Sequence, residues 1–321
     1  MLLWSELLQT AHRFIFLIYF IMRYTAYNLS IDSEIDLPEL FPMHTSNAEP
    51  ADVKIHFGSI APEGLADGQQ LGPFLWATPE SLWLQVPQVA RFLISNGNAI
   101  RIAPEPCIDQ DSIRVFLLGS VFGALLLQRG HLVLHGNAIR IGDQCMVCVG
   151  RSGAGKSTLA AGFLQRGYEI LADDVVPVDN DCRAVPGFPR IKLWQNVAER
   201  LNIDTAGLSR IRPNLEKFNY PITPAPGTLP LPIRWIYILG RNNATEEFLI
   251  EPIQGLQRFQ PLRNNTYRVR FLDGMGLRPE HMKQCGQLAN RIRLARVARP
   301  NNGFMLDRLI DRLLADIAEN P

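Results

Sequence analysis

With 321 residues, 47% of them hydrophobic and 20% charged, the chain has room for one large folded unit or two smaller ones. A formal net charge of +1 excludes a global field that would draw it to nucleic acid or to an anionic membrane. Five cysteines (Cys107, Cys145, Cys148, Cys182, Cys285) form no regular even framework and read as reduced thiols, hence a cytoplasmic location.

Residues 1–23 form an N-terminal extension holding an apolar run from Phe14 to Met22. The run is far short of the ~20 residues a membrane span needs, and it lacks the basic start and cleavage site of a secretory signal, so no stable membrane span is expected. Three readings stand for it: an amphipathic helix packed on the protein, a weak membrane-surface anchor, or sequence extraneous to the folded unit.

From Tyr24 the text turns to short β-like pieces. Asp36 to Pro42 reads as an extended, proline-fixed segment. Asp52 to Phe57 alternates with period two and stops at Gly58, which marks a strand. Ser81 to Val86 and Ala90 to Ile94 read as two more, and the Asn96-Gly97 turn predicts a hairpin with Ala99 to Ala103. Ser112 to Arg129 has helical spacing, with Val115, Leu118, Val121, Phe122 and Leu125 on one face and Gly130 as its stop. Leu132 to His135 and Ala138 to Ile141 are strand-like, and Gly142-Asp143 turns the chain into the apolar run Cys145 to Val149. The Cys145-x-x-Cys148 pair lies inside that run with no second pair after it, so it reads as two small buried hydrophobes rather than a zinc or redox motif.

The stretch Gly150-Arg151-Ser152-Gly153-Ala154-Gly155-Lys156-Ser157-Thr158 fits G-x-x-x-x-G-K-[ST] at every specified position, between a β-type run and a helical one. A glycine-rich turn lets backbone N–H groups close round a phosphate, and the helix start adds a partial positive charge. Lys156 is placed to reach the β- and γ-phosphates, and the Ser157 hydroxyl to hold Mg²⁺. The chain is therefore expected to bind a nucleoside triphosphate.

The next strand, from Tyr168, ends in Asp173-Asp174, 17 and 18 positions after Lys156. A parallel βαβ unit would bring these carboxylates to the γ-phosphate, one for Mg²⁺ and one to accept a proton from an attacking hydroxyl. His135 ends a strand beside Gly136 and either touches phosphate, tunes the base or is structural.

After Val185 the composition reads as loops. Residues 221–232, with five prolines, read as an extended surface segment, and Ile233 to Leu239 as a buried strand. Arg278 to Arg296 reads as a helix whose basic residues (Lys283, Arg291, Arg293, Arg296) form a solvated face or meet an acidic substrate. Leu306 to Ile317 closes the chain as an amphipathic helix.

The succession His135-Gly136, Gly150 to Ser157, Arg166-Gly167-Tyr168 and Ala172-Asp173-Asp174, with its spacing, resembles the catalytic domain of the HPr kinase/phosphorylase family over residues 130–178. Phe116-Leu117-Leu118-Gly119, Gln128-Arg129-Gly130, Pro189 to Trp194 and Asn265-Thr266-Tyr267-Arg268 resemble the smaller HPr-kinase-like proteins, including serine kinases encoded beside lasso-peptide biosynthesis genes. The resemblance implies an α/β fold akin to phosphoenolpyruvate carboxykinase, ATP and Mg²⁺ as cofactors, and phosphoryl transfer to a serine hydroxyl. Carried over by position, Lys156 and Ser157 serve phosphate and metal. His135 and Asp174 are catalytic, with Asp174 as base and Asp173 its neighbour near the metal. The chain departs from the family at Thr158, where the family has Glu. It also departs at Pro189 to Trp194, where bases stand in the region of a Glu-Ile-Arg-Gly signature. Reverse phosphorolysis and HPr as substrate are not carried over. Arg190 and Lys192 hold phosphate or an acidic substrate terminus, or are structural.

The expected organisation is an extension over 1–23, a small β-rich region with its connecting helix over 24–126, and a P-loop catalytic domain over 127–321. The expected function is an ATP-dependent serine kinase acting on a peptide or small protein, and relatives of this fold often form homo-oligomers. The alternatives are a nucleotide-sensing binding protein without turnover and a transport-type ATPase. The latter is disfavoured because no Leu-Ser-Gly-Gly-Gln phrase follows the loop.

Overall fold

The computed structural model describes residues 21–43, 49–222, 228–242, 247–300 and 303–321. The apolar run of the extension, up to residue 20, lies outside the described residues, as does part of the proline-rich segment, 223–227.

The front region is a nine-stranded mixed sheet. Its strands are β1 (Met22–Ala26), β2 (Leu29–Ser33), β3 (Phe41–Pro42), β4 (Val53–Phe57), β5 (Gln69–Gly72), β6 (Leu75–Ala77), β7 (Ser81–Val86), β8 (Ala90–Ser95) and β9 (Ala99–Pro104). The expected hairpin forms as β8–β9, with Ser95 opposite Ala99. Asp36 to Pro42 is not extended throughout: Leu40 N–H bonds back to the Leu37 carbonyl and closes a turn round Pro38-Glu39. Proline's fixed φ suits the second position of such a turn as well as it suits a strand.

Alternate residues of this sheet (Ile31, Ile55, Phe92, Ile94, Ile100, Ile102) bury one face against helix α1, Gln110–Gln128. Asp109 caps α1 by accepting from Ser112 N–H at 2.7 Å, and Gly130 at φ +81 ends it. Leu117, Val121, Phe122 and Leu125 are wholly buried, each contributing ~1.5–3 kcal/mol. Among the described residues α1 is the one helix long and apolar enough to cross a membrane, and most of its apolar window is buried in this core. Its middle turn, Leu117–Val121, is π-helical.

The second large sheet holds β10 (Leu132–Leu134), β11 (Gly136–Ile141), β12 (Gln144–Gly150), β13 (Ile170–Asp173), β14 (Val176–Val178), β15 (Arg183–Ala184), β18 (Leu231–Asn242), β19 (Leu249–Pro252) and β20 (Arg293–Pro300). β12 and β20 flank β18 in parallel. β12 alternates across it: Met146 and Cys148 face helices α2 (Lys156–Gln165) and α7 (Leu306–Glu319), while Cys145, Val147 and Val149 face α6 (Arg278–Arg291). Both cysteines are fully buried among apolar side chains, as read from the sequence.

β13 runs the same way as β12, as a parallel βαβ unit requires, with β11 antiparallel between them. Two expectations change here. The segment after Val185 is not all loop: β16 (Arg190–Trp194) and β17 (Lys217–Pro221) form a separate antiparallel ribbon, with α3 (Gln195–Arg200) between them, and two short helices, α4 (Phe259–Asn264) and α5 (Phe271–Gly274), precede α6. The helix expected over 278–296 stops at Arg291, and Arg293 to Arg296 belong to β20, where Leu294 and Ala295 are buried beside β18. Parallel pairing with a central strand overrides a helical pattern that no glycine or proline interrupts between Gln287 and Arg296.

Candidate active site

The glycine-rich loop joins β12 to α2. Gly155 sits at φ +95, a left-handed conformation that a side chain disfavours, and this turns the chain so that α2 starts at Lys156. The Lys156 ammonium donates to the carbonyls of Gly150 (2.8 Å) and Arg151 (3.3 Å). Burial lowers its pKa, while Asp174 and Asp173 act to raise it. Asn137, on β11 opposite both Cys148 and Asp173, donates its side-chain amide to the Lys156 carbonyl. Arg299, at the end of β20, donates to the Ala154 carbonyl at 3.1 Å. Side chains from two strands thus hold the loop and the start of α2.

Asp173 ends β13 and is buried. It accepts from the Ser157 hydroxyl at 3.1 and 3.3 Å and from Lys192 N–H at 3.0 Å. Burial, then the neighbouring Asp174 charge, raises its pKa. Asp174 lies at φ +75, a strained position for a residue other than glycine. Consecutive strand residues point to opposite faces, and this left-handed step breaks the alternation so that both carboxylates serve one site. Asp174 accepts from the Lys192 ammonium at 2.8 Å, and His135 Nδ1 lies 3.4 Å from its Oδ1 and 3.0 Å from its carbonyl oxygen. Burial alone would raise the Asp174 pKa. Lys192, by charge and hydrogen bond, with His135 and Lys217, outweighs it and holds the group well below the usual carboxylate range. His135 has a lowered pKa, chiefly through burial, against the opposing pull of Asp174.

Lys192 reaches both aspartates because β16 is amphipathic. Ile191 and Leu193 point into the core, and Arg190, Lys192 and Trp194 point the other way. Their cross-strand partners Pro221, Asn219 and Lys217 share that face. Lys217 lies over the Trp194 ring at 5.4 Å, and burial lowers its pKa. Arg190 is buried, donates to Asn219 at 2.6 Å and lies 3.7 Å from Glu39 of the front region. The region read from the sequence as carrying bases in place of an acid is thus a basic ribbon set against the carboxylate pair.

These groups line a cavity of about 830 Å³, within the usual range for ligand pockets. It runs from His135, Asp173, Asp174 and Lys192, past Ser152, Gly153 and Gly155 to Thr158, to an apolar end with Val197, Phe304 and Leu306. Gly150, Arg151 and Ala154 do not line it. Among the described residues no group of three or more His, Cys, Asp or Glu side chains is arranged to hold a metal alone. The Ser157 hydroxyl and Asp173 carboxylate offer adjacent hard oxygen donors, which suits Mg²⁺ completed by phosphate oxygens and water. Asn137 and Lys217 escape a reading by motif. Lys217 emerges only from its register with Trp194, and Asn137 only from its place between the two strand ends.

No family model and no curated protein matches the chain. Among solved structures it is similar to the HPr(Ser) kinase/phosphatase from Coxiella burnetii, at 13% identity and a TM-score of 0.30, over 58% of this chain and 95% of that one. A likeness at that level says nothing about the reaction, which rests on the residues in the cavity.

Proposed function

We propose that the chain is an ATP-dependent kinase that transfers the γ-phosphoryl group to a serine, or similar, hydroxyl of a peptide or small protein. The observation that carries this reading is the meeting of the loop hydroxyl of Ser157 with the Asp173 carboxylate, 3.1 Å apart, in the cavity that also holds Asp174 and His135. When bound, MgATP supplies the electrophilic phosphorus and a cation that neutralises charge. Ser157 and Asp173 would hold the Mg²⁺. Lys156 and the free N–H groups at the start of α2 would take phosphate oxygens, Lys156 giving up its bond to Gly150. Asp174 would accept a hydrogen bond from the acceptor hydroxyl and align its oxygen. A carboxylate held so strongly in its charged form orients first and takes the proton late, which suits a loose phosphoryl transition state. His135 would fix the rotamer of Asp174. In this reading residues 127–321 carry the chemistry, 24–126 support it, and the protein works in the cytoplasm, where ATP is.

One observation favours a second reading, a nucleotide-sensing module without turnover: the Lys192 ammonium already occupies Asp174. Incubation with γ-labelled ATP, Mg²⁺ and serine peptides separates the two. Label on a peptide hydroxyl that is lost in both Lys156→Ala and Asp174→Asn is expected. Tight ATP binding by the wild type with no label on any acceptor would favour the sensor.

A further inference from the structure

Two stretches outside the phosphate-binding loop, Phe116 to Gly119 and Asn265 to Arg268, meet behind His135. The backbone joins them first. His135 N–H donates to the Asn265 carbonyl and Tyr267 N–H to the Val133 carbonyl, each at 2.8 Å, and Leu134 bridges to Thr266. The Tyr267 ring then lies 5.5 Å from the His135 ring, centre to centre, at a tilt of 55°. The ring is also seated on α1, across the end of the π-helical turn. A Cβ on Gly123 would stand 2.8 Å from the Tyr267 ring, and one on Gly119 would stand 3.2 Å from its hydroxyl. Arg268 and Ser120 both lie close enough to act on the same hydroxyl, against the burial that raises its pKa. Arg268 follows at φ +49, a strained conformation that keeps the turn tight. A π-turn, two missing side chains and a strained residue all serve the placing of one ring, and such π-turns gather at functional sites.

We propose that Tyr267, seated on α1 at the end of its π-helical turn, is the positioning residue that holds the His135 ring against Asp174. The inference rests on the reading that His135 serves Asp174 in phosphoryl transfer. His135 also faces the charges of Lys156 and Arg268, so its place is set by the tyrosine platform rather than by ionic attraction alone. With Nδ1 at 3.0 and 3.4 Å from two oxygens of Asp174, a shift of about one ångström breaks both contacts.

The test uses the full chain with labelled histidine, the His135 resonance being assigned by its loss in His135→Gln. Tyr267→Leu and Gly123→Ala are expected to move that resonance and to lower kcat for transfer from MgATP roughly 10- to 100-fold, with KM for MgATP within about twofold. Tyr267→Phe keeps the ring and is expected to retain both. Gly123→Ala displaces the ring by crowding where Tyr267→Leu removes it, so a loss common to both is not the result of one cavity alone. An unmoved His135 resonance in Tyr267→Leu overturns the proposal. So does a moved resonance with unchanged kcat, and so does a Phe variant as impaired as the Leu variant. If His135→Gln itself leaves turnover intact, the functional reading of His135 is what fails, and the resonance still decides the seating.

Discussion

The Lys192 ammonium lies 2.8 Å from Oδ2 of Asp174, with the two side chains 11% and 26% exposed, while the same residue's backbone N–H holds Asp173. One residue of an amphipathic strand thus balances two adjacent carboxylates. Lys192→Met would leave them facing each other in a largely dry site, and a loss of about 3 kcal/mol is expected. Added Mg²⁺ should recover more stability in this variant than in the wild type, because the ion supplies the missing charge. Thermal melts with and without Mg²⁺ measure both effects. Equal Mg²⁺ shifts in the two proteins would show that Lys192 does not neutralise the pair.

Lys156 bonds carbonyls of its own loop in this structure, so it is preplaced over the phosphate site at little cost in side-chain ordering. Lys156→Ala is expected to lower phosphoryl transfer by ~10³-fold or more, since it removes charge stabilisation from the transferred group. Transfer within a few-fold of wild type in that variant would mean that the reaction occurs elsewhere.

Asn137 is wholly buried and donates to the Lys156 carbonyl, while its own side-chain oxygen has no partner among the described residues. Asn137→Ala should cost ~1–3 kcal/mol of stability. It should also raise KM for MgATP, because the first turn of α2 loses the prop that fixes it to β11. Unchanged KM with lowered stability would confine Asn137 to a structural role.

The parts of this site that could be read from the sequence are those built by neighbours in the chain. The run from Cys145 to Leu164 names its own strand, turn and helix, and the apolar strand ending at Asp173 follows within a few residues. The rest depends on pairing across distance. Nothing local to Gly136 to Ile141 says that this strand enters between β12 and β13. Lys192 and Lys217 belong to one ribbon although α3 and a long turn separate them, and only register puts them on one face. Gly119 and Gly123 read as ordinary helix residues until Tyr267, more than 140 positions later, is seen filling the space they leave. The overlong helix over 278–296 has the same origin, since the sheet neighbour that claims Arg293 to Arg296 is β18.

His281, on α6, is buried, and its Nε2 lies 2.8 Å from the hydroxyl of Thr266, the residue before Tyr267. Burial, and then the charges of Arg263 and Arg278, push its pKa down from 6.5 to about 4. Between those values the unfolded chain binds a proton that the folded chain does not, so stability falls as pH drops from about 6.5 towards 4 and is unaffected above that window. The full effect is on the order of 3 kcal/mol. Protonation would also strain the turn that delivers Tyr267. His281→Gln keeps a polar partner for Thr266 without a titrating group, so it should flatten the loss of melting temperature between pH 7 and pH 4.5 relative to wild type. Parallel curves for the two proteins would show that His281 is not the acid-sensitive group.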